Sequence, residues 1–302
     1  MFEGALMMNK NTNQYLAIDI GGTFIKYSVM DSEYNCYDEG SIRTKKLPAE
    51  FLEQLTDLIE AYLEKINGIA ICMGGFFDPL IGENTDFSVG SNFKAYNLKT
   101  IFSEKYQIPV LLENDSNCAA LGEMVQGAAR GYKNFCMVTF GTGIGGAIVI
   151  NSKLYRGSNY KAGEVGFTKV RIKEESGNIR AESAGATSAL VKKVSECLNF
   201  EVDGRYIFTH MHNTKIATVY REWISKGAIV IGNLAVTVDP EILLIGGGIS
   251  ENNIFINDMK KEVYRLYPHL EEYTAIKASE RGNMAGKIGA LYLLLQKESA
   301  GV

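Results

Sequence analysis

Residues 138 to 150 read VTFGTGIGGAIVI, with Gly141, Gly143 and Gly146 in the spacing G-x-G-x-x-G. That spacing is shared with dinucleotide-binding loops, in which the third glycine opens a helix whose N-terminus receives the pyrophosphate. Here the third glycine opens AIVI, a largely β-branched apolar run, and the preceding FCMVTF is also strand-like. The segment therefore reads as strand, glycine turn, strand. A dinucleotide loop is the wrong reading, and the glycines need another role.

The pattern also occurs earlier in the chain. YLAIDIGGTFIKYSVM, residues 15 to 30, alternates as two strands joined at Gly21 and Gly22. GGT at 21–23 and GTG at 141–143 thus form a weak internal repeat, which predicts two similarly built halves. Between them, Phe51, Leu55, Leu58, Ile59, Tyr62 and Ile66 recur at helical spacing after Pro48, with Gly68 ending the helix. IAICM reads as a buried strand. IPVLL at 108–112 reads as another, followed by END and the helix-like SNCAALGEMVQGAA. Ile216, Val219, Trp223, Ile224, Ile231 and Leu234 mark a long helix leading into a strand within EILLIGGGIS at 241–250, and MAGKIGALYLLLQK is a closing amphipathic helix. Alternating strands and helices give an α/β architecture with largely buried sheets.

A chain of 302 residues accommodates two domains, and 46% hydrophobic with 22% charged residues suits a globular protein. The formal net charge of -4 provides no basic surface, so a small molecule is the expected partner, with neither nucleic acid nor membrane involved. Cys36, Cys72, Cys118, Cys136 and Cys197 are odd in number and contain no C-x-x-C pair, as in a reduced cytoplasmic protein. MFEGALMMNKNTNQ lacks the apolar core of a signal peptide, and no apolar run is long enough to span a bilayer.

Three glycine-rich turns end strands: DIGGT at 19–23, GTGIGG at 141–146 and GGGIS at 246–250. Glycine lets backbone N–H groups approach an anion closely, so a concave turn of this kind can cradle phosphate. Each turn alone also reads as a tight hairpin or a packing point; the three together point to a nucleotide. Asp19, beside the first turn, suits Mg²⁺ or one of its waters, or simply stabilises the turn. Lys26 suits phosphate, or is a solvated strand lysine. Asp115, where a strand meets a helix, reads first as an N-cap. Asn114 and Ser116 can also cap that helix, which leaves Asp115 as a carboxylate able to accept the proton of an attacking hydroxyl. Glu164 in AGEVGF and Glu182 in RAESAG fit exposed turns equally well. His210 and His212 lack further metal ligands at suitable spacing, which favours a loop over a metal site. Tyr206 and Phe208 read as core.

Taken together, LAIDIGGTFIK, ENDSNCAALGE, TFGTGIGGAIV and LLIGGGIS resemble, in order and spacing over essentially the whole chain, the motifs of the ROK family (repressor, open reading frame, kinase) of bacterial sugar kinases. The resemblance implies the actin-like ATPase (ribonuclease-H-like) fold, with two domains flanking a nucleotide and sugar cleft. The smaller would comprise 1–117 plus 284–302, closed by the C-terminal helix, and the larger 118–283. It also implies ATP with Mg²⁺, a sugar substrate and a homodimer. Asp19, Gly21, Gly22, Thr23, Lys26, Gly141, Thr142 and Gly143 would then serve the phosphates, and Gly246, Gly247 and Gly248 the adenosine. Asp115 would be the base that takes the proton of the sugar's 6-hydroxyl. Asn114 would orient the sugar, as would Gly75 in CMGGFFDP. Asn92 in GSNFKAY matches the family's sugar-binding Asn, although Ala95 and Tyr96 replace a Gly and a Trp. Glu164 and Glu182 would hold hydroxyls on the C1 to C3 side of the ring.

The departures are specific. Most of the family has a His three residues after the first glutamate and a cysteine-rich segment before the second, which together bind zinc. Here Phe167 takes the His position and RIKEESGNIRAES has no cysteine, so no structural zinc is expected. This pattern, with a following segment like EVDGRYIF, is most similar to bacterial β-glucoside kinases, which phosphorylate the 6-hydroxyl of the non-reducing glucose in cellobiose and related glucosides. A substrate substituted at O1 has no O1 hydroxyl to bind, so Phe167 either stacks under an aglycone or fills the space of the lost zinc site. N-acetylmannosamine kinase and glucokinase are the enzymatic alternatives. The first phosphate strand begins near Tyr15, which leaves no room before it for the DNA-binding module of the family's repressors. The intact turns and Asp115 argue against a non-catalytic sugar sensor.

Overall fold

The computed structural model describes residues 13–78, 80–83, 96–173 and 177–300. The chain divides at Gly122/Glu123 and again at Gly282/Asn283 into two units. In the first unit, β1 (Gln14–Ile20) and β2 (Phe24–Asp31) form the hairpin expected around Gly21 and Gly22, and β3 (Cys36–Arg43) adds to β2. β4 (Gly68–Met73) and β5 (Val110–Asn114) extend the other side in parallel, giving the order β3-β2-β1-β4-β5. Every residue of β4 is buried, as in a strand covered on both faces. Helix α1 (Pro48–Glu60) starts on a proline, whose fixed φ suits a first helical turn, and buries Phe51, Leu55, Leu58 and Ile59 along one face. Helix α2 (Leu98–Tyr106), capped by the Asn97 side chain, adds Leu98 and Phe102 to the same core. Helix α3 (Asp115–Gln126) follows β5 directly, and helix α9 (Ala285–Ala300) packs against β1, β4 and β5.

The second unit repeats this plan. β6 (Phe135–Phe140) and β7 (Ile144–Ile150) form the second glycine hairpin, and β8 (Lys153–Leu154) lies antiparallel beside β7. β11 (Ile242–Gly246) and β12 (Ala275–Ala278) are added in parallel on the side of β6. The order β8-β7-β6-β11-β12 has the same sequence of antiparallel and parallel neighbours as β3-β2-β1-β4-β5. The GGT and GTG repeat is thus a repeat of topology. A two-stranded ribbon, β9 (Lys169–Lys173) with β10 (Gly177–Arg180), precedes helices α4 (Ala181–Gly185) and α5 (Thr187–Leu198). Then come α6 (Gly204–Thr209), the 25-residue α7 (Thr214–Val238) and α8 (Asn253–Leu266). Phe140, Trp223 and Phe255 meet in this core with ring centroids 5.4 to 6.2 Å apart, and the indole N–H donates to the Ala186 carbonyl at 2.9 Å.

Several boundaries differ from the sequence reading. The helix expected to run to Ile66 ends at Glu60, a 3-10 turn follows at Leu63–Lys65, and Gly68 begins β4 instead of stopping a helix. At Gly68 a Cβ would come within 3.0 Å of Leu294 and 3.2 Å of the Pro109 carbonyl, so the position is a close contact between elements. The strand expected at 108–112 lies two residues later, because Pro109 has no N–H for the ladder and offers only its carbonyl, to Ile69. The closing helix is buried around most of its first two turns, where even Lys287 is 3% exposed, so amphipathic describes only its far end. The expected division after residue 117 falls inside α3, and the units separate five residues later. Glu123, fully buried, accepts N–H bonds from Ala128 (2.8 Å), Glu280 (3.0 Å) and Arg281 (2.7 Å), fixing the segment where the chain leaves the second unit.

Candidate active site

In the first unit, parallel register brings the carboxyl ends of β1, β4 and β5 into line. Asp19 pairs with Cys72 and with Lys26, and Met73 pairs with Asn114. Ligand sites in α/β sheets gather at such strand ends. Asn114 answers the capping question: its Oδ1 accepts the N–H groups of Ser116 (2.9 Å) and Asn117 (3.1 Å), and its Nδ2 donates to the Gly75 carbonyl (3.0 Å). Asp115 is thereby left as an accessible carboxylate on the first helical residue. Although solvent reaches it, the protein atoms crowded around it raise its carboxyl above the ordinary value, and the Ser116 backbone and hydroxyl oppose this in part. Asp19 is raised first by burial and then by the charge of Asp115; Lys26, Lys287 and the Cys72 thiol pull it back down. A carboxylate at Asp19 that the charge of Asp115 disfavours is an oxygen donor suited to a cation.

The first glycine turn is strapped from outside. Gly21 N–H closes on the Phe24 carbonyl (3.0 Å), the Thr44 hydroxyl donates to the Gly21 carbonyl (2.8 Å), Thr44 N–H donates to Thr23 (2.9 Å), and the Lys46 ammonium donates to the Gly22 carbonyl. A Cβ at Gly22 would meet nothing within 4 Å. Lys26 is not free for a ligand in this conformation: its ammonium donates to Asn283 Oδ1 at 2.5 Å. Sequence reasoning missed Thr44, Lys46 and Cys72, none of which belongs to a spaced motif.

In the second unit, the turn Gly141–Gly143 is held by Ser188 near the start of α5, whose N–H donates to Gly141 O (3.3 Å) and whose hydroxyl donates to Thr142 O (2.6 Å). Beside the turn opens a cavity of about 740 Å³ lined by Gly141, Thr142, Ser188, Arg205, Phe208 and Gly248 among others. That volume lies within the range of about 300–1,000 Å³ usual for small-molecule sites. Phe208, expected as core, has one side on this cavity. The three glycines 246–248 have three different reasons to be glycine. Gly246 ends β11 against Met137 and Thr139. Gly247, at φ +89°, turns the chain where any Cβ would strike the Phe140 backbone. Gly248 faces open space and lines the cavity. Ser188 and Arg205 were also missed; the TS pair of ATSALVKK, which precedes an apolar run as a helix start does, was an unused signal for the first.

Glu164 precedes the 3-10 turn Val165–Phe167, and Glu182 lies in α4. The two elements are in contact: a Cβ at Gly166 would lie 3.5 Å from Glu182 Cβ, and Ala181 N–H donates to Thr168 O at 2.8 Å. Glu182 also reaches the glycine turn, where a Cβ at Gly143 would meet its Oε2 at 2.7 Å. Asn92 lies outside the described residues. Among the described residues no group of three or more His, Cys, Asp or Glu is arranged to hold a metal ion, and no helix is long and apolar enough to cross a membrane. His210 caps the end of α6, stacked on Tyr206 at 3.9 Å.

The model of the ROK family matches residues 15–297. The chain belongs to the ROK family. A β-glucoside kinase from Listeria monocytogenes is 29% identical over 94% of this chain and 98% of its own length. A solved ROK family protein from Streptococcus pneumoniae, in complex with sucrose, is 30% identical with a TM-score of 0.83, covering 95% of this chain and 99% of that one. A solved Listeria monocytogenes protein described as a candidate N-acetylmannosamine kinase is 28% identical with a TM-score of 0.84, covering 94% and 99%. The duplicated sheets are those of the actin-like ATPase fold of ROK sugar kinases, as the motifs implied.

Proposed function

We propose that this ROK-family sugar kinase transfers the γ-phosphoryl group of ATP to the 6-hydroxyl of the glucose unit in a β-glucoside such as cellobiose. The observation that carries the substrate reading is Phe167. It stands where most of the family has a zinc-binding, sugar-contacting His, and it is 38% exposed, so its ring does not simply fill a void. It sits on the short element that follows Glu164 and touches the helix of Glu182, the two residues proposed to hold the ring hydroxyls. A relative named β-glucoside kinase and another solved with a disaccharide support the same reading.

In this reaction the 6-oxygen attacks the γ-phosphorus as its proton passes to Asp115, and the bond from the γ-phosphorus to the bridging oxygen breaks to release ADP. A carboxyl with a raised pKa is a better proton acceptor than an ordinary aspartate. Asn114 fixes that base by capping its helix. Gly22, Gly141 and Gly248 each have open space where a side chain would project, which fits phosphates and nucleoside approaching the backbone closely. Asp19 would hold a magnesium ion or its waters, and bound magnesium neutralises charge on the phosphate oxygens. The residues Asp19, Gly21, Gly22, Thr23, Lys26 and Gly141 to Gly143 keep their proposed phosphate roles, with Lys26 exchanging Asn283 for phosphate.

The test is ADP release with Mg²⁺-ATP on cellobiose, glucose, N-acetylmannosamine and fructose, with Asp115→Asn as control. Preference for cellobiose that vanishes in the control is expected. Preference for a free monosaccharide would overturn the glucoside reading while keeping the kinase.

A further inference from the structure

Arg180 places its guanidinium over the ring of Phe167, 5.1 Å from the centroid. Arg180 ends β10 immediately before α4, which carries Glu182, just as Phe167 ends the short turn that follows Glu164, whose carbonyl accepts the Phe167 N–H at 3.1 Å. The two elements are tied by the bond from Ala181 to Thr168. A cation lying over an aromatic ring is therefore carried by the same two joined elements that carry the two glutamates proposed to hold the C1 to C3 side of the sugar.

We infer that this stacked pair selects what is attached at O1, favouring a hydroxylated aglycone, that is a second sugar, over an aromatic one; the inference rests on the β-glucoside reading above. An aromatic aglycone binds by laying its face on an aromatic side chain, and here Arg180 already occupies a face of that side chain. A guanidinium stacked on a ring keeps its N–H donors in its own plane, directed outward at the edge. Those donors match the acceptor oxygens of sugar hydroxyls and offer little to a phenyl group. Arginine is suited to this position because it stacks and donates at once, whereas lysine presents a single point charge.

The experiment compares kcat/KM for cellobiose and phenyl β-glucoside in the wild type, Arg180→Ala, Arg180→Lys and Phe167→Leu, with thermal melts as a folding control. Removing a charge-assisted hydrogen bond to substrate is expected to lower kcat/KM for cellobiose about tenfold. Phenyl β-glucoside should change far less, so the ratio between the two substrates falls. Arg180→Lys should recover part of that ratio, and Phe167→Leu, which removes the ring beneath the guanidinium, should shift it in the same direction as Arg180→Ala. Equal losses on both glucosides, or an unchanged ratio in all three variants, would overturn the inference while leaving the β-glucoside reading standing. A wild type with no rate on either glucoside would overturn that reading itself, and this inference with it.

Discussion

Replacing Gly141 by alanine separates the fold from the chemistry. A Cβ there meets no heavy atom within 4 Å, and the residue is not in the left-handed region, so the turn accepts it without strain. By restricting the unfolded chain, the substitution should be neutral or stabilise the protein by about 0.4–1 kcal/mol. The same methyl group projects where a phosphate would approach the turn. Carbon and oxygen need about 3.5 Å where an N–H···O bond needs about 2.9 Å, so the phosphate must retreat by several tenths of an ångström. One charge-assisted bond weakened or lost is about 1.5–3 kcal/mol, or roughly 10- to 100-fold in the KM for ATP. Gly143→Ala provides the contrast, because its Cβ would meet Glu182 Oε2 at 2.7 Å and Cδ at 3.2 Å. That exposed carboxylate swings aside, and the sugar KM should rise instead. The assay is steady-state kinetics varying each substrate in turn, with thermal melts of both variants. A Gly141→Ala protein that folds normally and keeps the wild-type KM for ATP would refute the phosphate assignment of this turn.

Asp115→Asn should lower kcat by about 10²- to 10⁴-fold, the usual worth of a general base, in the same ADP-release assay. It should also melt at a higher temperature at neutral pH. Because the folded state raises this carboxyl, ionisation costs stability at pH 7, and the cost fades as pH falls through the folded pKa. The stability gap between variant and wild type should accordingly close toward acid; a gap independent of pH would contradict the raised carboxyl. For the same reason the acid limb of the kcat/KM profile should lie above the ordinary aspartate value of about 3.9, measured across a constant-ionic-strength buffer series. Glu123→Gln turns an amide NH₂ from a buried side chain toward the N–H groups of Ala128, Glu280 and Arg281. With one or two donors left unpaired, it should cost about 2–4 kcal/mol in denaturant unfolding.

The two hairpins were legible because alternation of period two on either side of a glycine pair has one physical reading, and the third glycine opening AIVI excluded a helix there. Asp115 was legible because a neighbour that caps better than it does stood one residue earlier. Glu182 was not, since nothing in RAESAG signals that α4 will carry it to Gly143, 39 positions earlier in the chain; that proximity depends on the packing of two short elements. Lys287 was hidden for the opposite reason. Its charge made MAGKIGALYLLLQK look two-faced, whereas the structure buries it with its ammonium 2.6 Å from Ser28 Oγ, where it helps hold down the pKa of Asp19.

Apart from Lys287, these cases share one cause. In a parallel sheet, register aligns strand ends, so motifs at the ends of β1, β4 and β5 come together as soon as the strands are recognised: Asp19 with Cys72, Met73 with Asn114. The same holds for β6 and β11, where Thr139 pairs with Gly246. Residues delivered by strand ends can therefore be located from motif order alone. Glu164, Phe167, Arg180 and Glu182 are delivered by a 3-10 turn, the end of a ribbon and a five-residue helix, elements without a periodicity long enough to read. In this chain the residues proposed for the chemistry lie at the strand ends, and those proposed to choose the substrate lie on those short elements. Phosphoryl transfer could be inferred from the sequence for that reason, while the proposed choice of aglycone needed the placement of Arg180 over the Phe167 ring.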